Sequence, residues 1–243
     1  MRGDVIMVAS GKGGTGKSTL SVLIGAALAA RGERVLVAEL DVGLRSIDHI
    51  AGAAGQIVYD VGDVLAGRCD AAKAVVESPL YPDLYLLAAP YTNGRIRPDT
   101  LCAFVQGVRP VFDTVLLDTA AGLGAPFLSA CAAANRALLV LTPDPVALRD
   151  GRTVCDALAL RGCTDTRLLV NQTPRALEGC GVRSLDECID TVGARLIGVV
   201  PFSDVIRRAG QTGTRLPVQS RAWRVMRAVA ARLCGEDTPL LIR

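Results

Sequence analysis

Apolar residues in this chain gather into short unbroken runs separated by longer segments of mixed character. The runs are Val5–Ala9, Arg34–Leu40, Leu84–Ala88, Thr114–Leu117, Ala137–Leu141, Leu168–Asn171 and Leu196–Val200. Each has strand length and no polar alternation, as in parallel strands buried on both faces. Between them, helical patterns cover Lys17–Ala30, a short stretch after Ser46, Val61–Leu65 and Ala71–Val76. Further helices run from an Asp99 cap to Val108, over Phe127–Ala134 and Val146–Leu160, from a Ser203 cap to Ala209, and over Gln219–Leu233. Arg31-Gly32, Pro79 with Pro82, Pro90–Pro98 and Thr142-Pro143-Asp144-Pro145 are the turns. Strand and helix alternating along the whole length predict α/β architecture. The expected fold is a doubly wound, mainly parallel sheet with helices on both faces, as one domain over 1–243. Such sheets bind ligands beyond the carboxyl ends of their strands, where this reading puts Gly11, Asp41, Asp118, Thr142 and Asn171.

The first strand leads into Gly11-Lys12-Gly13-Gly14-Thr15-Gly16-Lys17-Ser18-Thr19, and a helix follows. Strand, glycine loop and helix in that order form a phosphate-binding loop, and Gly11, Gly16, Lys17 and Ser18 complete G-x-x-x-x-G-K-[ST]. Glycines let successive N–H groups converge on phosphate oxygens, and the helix adds its positive end. Lys17 is expected at the β- and γ-phosphates and Ser18 on Mg²⁺, with ATP or ADP as ligand. Charge usage singles out a further residue. The chain has 27 basic side chains, of which only Lys12, Lys17 and Lys73 are lysines. Two of the three fall in the loop, where a compact ammonium suits phosphates better than a planar guanidinium.

Asp118 ends an apolar strand and is expected to hold Mg²⁺ and Ser18; Asp41, at the end of the second strand, is expected to polarise the attacking water or to join the metal site by binding a metal-bound water. No arginine finger is identifiable. Half the chain is hydrophobic and 4% aromatic, so the core is built from Ala, Val and Leu. Net charge is +3 and the arginines read as spread, which argues against DNA as a partner. No run is long enough to span a membrane, and residues 1–9 are not a signal peptide. The eight cysteines form no C-x-x-C pair and read as small buried hydrophobes of a cytoplasmic protein; His49 is given no chemistry.

With these residues in place the chain resembles the MinD/ParA family of deviant Walker A ATPases, a P-loop NTPase fold of the SIMIBI type. Lys12–Thr19 matches the K-G-G-x-G-K-[ST]-T motif. The resemblance implies an ATPase that dimerises face to face on ATP, with Lys12 reaching the partner's nucleotide, and is slow until a partner activates it. Asp41–Asp48 is most similar to the D-x-G-L-R-x-x-D stretch of the MinD branch, and Asp118–Gly122 to its D-S-P-A-G stretch. Leu141–Asp150 resembles T-x-P-E-x-x-x-x-R-D. Asn171 corresponds to an adenine-reading asparagine, and Pro201 and Phe202 to the second adenine-side loop. A role in septum placement with a MinC- or MinE-like partner is thereby implied.

Four departures stand out. Glu39 replaces the first Asp of a D-x-D pair, Ala120 a proline, and Arg152 an acid on the partner-facing helix. After the final helix the expectation is that no basic amphipathic anchor follows. Membrane association therefore stays open, with peripheral contact at the inner face as the alternative to a purely cytoplasmic place. Arg221, Arg224, Arg227 and Arg232 line one side of the last helix and apolar residues the other, a pattern that fits either docking or a membrane surface. The competing functions are a weakly hydrolysing regulator and a DNA-partitioning ATPase. A metallocentre ATPase would need paired or bridging cysteines; no pair is seen, and Cys69 or Cys131 meeting its mate across a two-fold axis is the form left open.

Overall fold

A computed structural model describes residues 3–91 and 96–241. The Asn-Gly part of the expected Pro90–Pro98 loop lies outside the described residues. The strands are β1 (Asp4–Ala9), β2 (Val35–Glu39), β3 (Val76–Glu77), β4 (Leu84–Leu87), β5 (Thr114–Asp118), β6 (Arg136–Leu141), β7 (Thr166–Thr173) and β8 (Arg195–Pro201). They form one sheet in the order β3-β4-β2-β5-β1-β6-β7-β8. Every pairing is parallel except β3 with β4. The expected doubly wound sheet is present.

The helices are α1 (Lys17–Ala29), α2 (Ile47–Ile50), α3 (Val61–Leu65), α4 (Ala71–Ala74), α5 (Pro98–Val108), α6 (Ala125–Ala133), α7 (Pro145–Leu160), α8 (Leu185–Val192), α9 (Asp204–Thr212) and α10 (Arg221–Leu233). Alternate residues of each strand face opposite layers. In β1, Ile6 and Val8 join the core under α1 and α10, whereas Val5, Met7 and Ala9 join the core under α5, α6 and α7. α1 is buried almost all round, because it lies on the sheet and is flanked by α10 and α2. Gly198 in β8 admits this packing: a Cβ there would lie 2.6 Å from Val229 Cγ2 of α10 and 2.9 Å from Leu169 Cδ1.

Two elements differ from expectation. Val75 and Val76 do not extend α4; Val76 starts β3, which pairs antiparallel with β4. α8 intervenes between β7 and β8, where no helix was read. In α10 the apolar residues Trp223, Val225, Met226, Val229 and Leu233 are buried, so this face docks on the protein. Trp223 stacks on Tyr81 with ring centroids 6.1 Å apart. Arg232 leaves the exposed basic side: its guanidinium donates to the carbonyls of Thr238 and Ile197 at 2.6 and 3.0 Å. The arginines are also less evenly spread than expected, since Asp204 and Glu236 bracket seven arginines and no acid.

Candidate nucleotide site

The loop after β1 lies at the centre of the sheet, where the strand order switches from the β5 side to the β6 side. Its glycines divide into two kinds. Gly16 has φ +84°, and a Cβ there would lie 2.5 Å from Asn171 Nδ2. A Cβ on Gly11 would lie 2.7 Å from that of Asp150. By contrast, a Cβ at Gly13 or Gly14 would meet nothing within 4 Å. The first pair packs the loop against its own protein; the second leaves an open side.

Long-range contacts hold the loop. Asn171 Nδ2 donates to the Thr15 carbonyl at 2.7 Å, and Gln172 Nε2 to the Gly14 carbonyl at 3.2 Å. The Ser10 hydroxyl donates to the Lys12 carbonyl at 3.0 Å. The stretch after β5 is tied to the same strand, with the Thr119 hydroxyl on the Val8 carbonyl at 2.9 Å and the Gly122 N–H on the Ser10 carbonyl at 2.9 Å. Ala120 is therefore bracketed by residues fixed to β1.

α1 starts from Gly16 with no side-chain cap and no acid in its first turn, so its positive end is uncompensated. Lys17 and Thr15 are buried, whereas Ser18 and Thr19 are half-buried. Asp118 is fully buried at the end of β5. Its Oδ1 accepts from the Ser21 hydroxyl at 2.9 Å, while its Oδ2 and the Thr15 hydroxyl have no hydrogen-bond partner among the described residues. Burial raises the Asp118 carboxyl above its ordinary range; Lys17, Ser18 and Ser21 oppose the rise and Asp41 adds to it. Asp41 is raised by burial and lowered by Lys17. It stands two residues beyond the end of β2, not in the strand, because β2 stops at Glu39. A buried carboxylate oxygen with no donor, beside a second carboxylate, fits a divalent cation, whose charge would reverse both rises. Among the described residues no three His, Cys, Asp or Glu side chains cluster. That donor set suits Mg²⁺, which keeps waters and takes phosphate oxygens alongside a few protein ligands.

Lys12 lies apart from Lys17. It is half-exposed, with Nζ 3.9 Å from Asp144 Oδ1. Asp144 caps α7 by accepting from the Ala147 N–H at 2.9 Å, and also accepts from the Thr142 hydroxyl at 2.7 Å. Burial alone would raise the Asp144 carboxyl; Thr142, Ala147 and Lys12 more than offset it and the net shift is downward. On the other flank, Gly16, Thr19, Asn171, Pro201, Phe202 and Arg207 line a cavity of about 280 Å³. Phe202 is 61% exposed there. The structure thus brings the expected loop, Asp41 and Asp118 together at the carboxyl ends of the central strands and Asn171, Pro201 and Phe202 to a neighbouring recess. Sequence reasoning missed Ser21, Gln172 and the anchoring role of Glu39. Gln172 has φ +54°, a conformation no local pattern announces.

An open glycine loop over an uncapped helix start, with a buried strand-end aspartate lacking one donor, defines a P-loop nucleotide-binding protein. Residues 6–216 match the CobQ/CobB/MinD/ParA nucleotide binding domain, and the chain belongs to that family of ATPases. It is 33% identical over 99% of its length to the septum site-determining protein MinD of Bacillus subtilis, 92% of which is covered. With MinD of Thermotoga maritima it shares 34% identity over 98% of its length, covering 90% of that protein. The solved MinC:MinD complex of Aquifex aeolicus superposes at a TM-score of 0.90 with 32% identity, covering 98% of each chain. MinD of Pyrococcus horikoshii, solved with Mg-ADP, superposes at 0.84 with 22% identity over 95% of each chain and shows the shared fold.

Proposed function

We propose that this chain is a MinD-type ATP-driven switch that dimerises on ATP and acts in septum placement through a MinC- or MinE-like protein. The observation that carries the reading is the unpaired Asp118 Oδ2 beneath a glycine loop open at Gly13 and Gly14. Loop N–H groups and Lys17 bind the phosphates, and Ser18 with Asp118 holds Mg²⁺. When bound, Mg²⁺ neutralises charge on the phosphate oxygens and fixes their orientation. Asp41 orients the attacking water or a metal-bound water. Asn171, Pro201 and Phe202 receive the base. Lys12 reaches the partner subunit's nucleotide, leaving its weak, solvent-screened contact with Asp144. Hydrolysis is slow until a partner protein activates it. The Aquifex aeolicus relative solved with MinC supports that class of partner.

No helix among the described residues is long and apolar enough to cross a membrane. A cytoplasmic place, with peripheral contact at the inner face, completes the reading. The test is size-exclusion chromatography with ADP and with a non-hydrolysable ATP analogue, on wild type and Lys12→Ala. Dimerisation with the analogue alone, lost in the variant, is expected; a Lys17→Ala protein that binds and turns over ATP like wild type would overturn the assignment.

A further inference from the structure

Glu39 closes β2 with no exposed surface, and its Cα is the register partner of Asp118. A carboxylate buried there needs donors for both oxygens. Oε1 accepts from the Ser46 N–H at 2.9 Å and from the Ser46 hydroxyl at 2.8 Å. Oε2 accepts from the Ala89 N–H at 3.3 Å. Each oxygen accepts from at least one of the protein's own donors, which separates Glu39 from its neighbour Asp118, whose Oδ2 has none among the described residues.

The three bonds have a mechanical meaning. Ser46 precedes α2, yet its hydroxyl makes no cap to that helix and goes to Glu39 instead. The segment from Leu40 to Arg45 is therefore fixed at both ends, by the peptide bond to Glu39 and by the Glu39 side chain at Ser46. Its ties to neighbouring segments are the Leu40 N–H to the Asp118 carbonyl at 2.7 Å, the Gly43 N–H to the Pro90 carbonyl at 3.0 Å and the Arg45–Asp48 ion pair at 3.1 Å; inside it the Val42 N–H donates to the Leu40 carbonyl at 3.1 Å and the Leu44 N–H to the Asp41 carbonyl at 3.3 Å. Pro90 directly follows Ala89, so the second Glu39 oxygen holds the wall against which Gly43 rests. Asp41 sits inside this ring. Leu44 at 69% exposure shows how little burial restrains the ring at its tip.

We propose that Glu39 is a positioning residue for ATP hydrolysis, which by holding Ser46 and Ala89 fixes the loop that carries Asp41. This rests on the reading of Asp41 as the residue that orients water. A shorter aspartate, lacking one methylene and about 1.5 Å of reach, would not span from this strand end to both donors without moving the loop.

The experiment measures ATP affinity, kcat, KM and hydrogen exchange of residues 40–46 for Glu39→Ala, Glu39→Gln, Ser46→Ala and Asp41→Ala in the full chain with Mg²⁺. Displacing a reacting group by an ångström can cost up to about a hundredfold. Glu39→Ala is expected to lose at least about tenfold in kcat on this ground, with KM and ATP affinity unchanged and faster exchange confined to residues 40–46. Glu39→Gln keeps an acceptor for Ser46 and should recover part of the loss. Ser46→Ala, which leaves Glu39 in the core and keeps the Ser46 N–H bond to it, should lose less than Glu39→Ala, and pairing the two should add nothing further. An active Glu39→Ala beside an inactive Asp41→Ala would overturn this inference and leave the functional reading intact. An active Asp41→Ala would instead remove the reading of Asp41. Uniform loss of exchange protection across the sheet, with ATP affinity falling in step, would make Glu39 a structural residue only.

Discussion

Gly16→Ala tests whether loop glycines serve the fold or the ligand. Gly16 has φ +84°, and an L side chain in the left-handed region costs about 1–2 kcal/mol. The added Cβ would lie 2.5 Å from Asn171 Nδ2, a distance side chains do not tolerate. Asn171 must turn away, and its 2.7 Å bond to the Thr15 carbonyl goes with it. Losing that buried bond costs about 1 kcal/mol. The sum is about 2–3 kcal/mol, which for a chain of this size lowers Tm by about 4–12 °C. Gly13→Ala is the matched control, because its Cβ would meet nothing within 4 Å and its φ is not positive. Thermal denaturation without nucleotide should show the drop for Gly16→Ala and a change within about 2 °C for Gly13→Ala. Titration with ATP should then show both variants impaired, since Gly13 lies on the open side offered to phosphate. Equal Tm values for the two variants would refute the division of the glycines into packing and ligand classes.

Other perturbations read different parts of the molecule. Gly198→Ala would press a methyl against Val229 and Leu169, and overpacking of this kind costs about 1–3 kcal/mol in chemical denaturation; no change in midpoint would mean that α10 can slide on the sheet. Ser220→Ala removes the hydroxyl that accepts the Trp223 N–H at 3.1 Å, and should cost about 1 kcal/mol in the same measurement. Burial pushes the thiols of Cys131 and Cys188 up to about 11, so at pH 8 iodoacetamide should label them far more slowly in the native chain than after denaturation. A thiol raised in the folded state contributes stability that is fully present below its unfolded pKa and lost as pH rises through about 11. Cys131→Ala should therefore flatten the alkaline fall in stability, and an unchanged slope would count against the burial argument.

The central strands were legible because they are buried on both faces and read as continuous apolar runs. The loop was legible because its motif is local. β3 is two residues long and exists only through its pairing with β4, so nothing in its own composition marks it. α8 carries Asp186, Glu187 and Asp190 and buries only Cys188 and Val192, which hides it from a search for apolar runs. Its start was nonetheless written in the chain, since Ser184 accepts from the Glu187 N–H at 3.2 Å in the helix-start pattern. At the site, Asp118 was readable as a strand end; Asn171 was read as one too, but β7 runs on to Thr173. Their partners Ser21 and Thr15 were not, because those bonds join residues far apart in sequence. Glu39 stood out as a departure from the D-x-D pair, but its donors at Ser46 and Ala89 come from loops that no local pattern places beside it.

The stacking of Trp223 on Tyr81 has an experimental corollary. The chain contains one tryptophan, so its indole emission arises from a single address on α10. The indole is 5% exposed, with its ring plane 9° from that of Tyr81. Red-shifted fluorescence therefore reports one event, the lifting of α10 from the sheet, while far-ultraviolet circular dichroism averages over every helix. Denaturation curves that coincide in the two signals would make the C-terminal helix part of one cooperative unit, and a fluorescence change at lower denaturant would make it the first piece to leave.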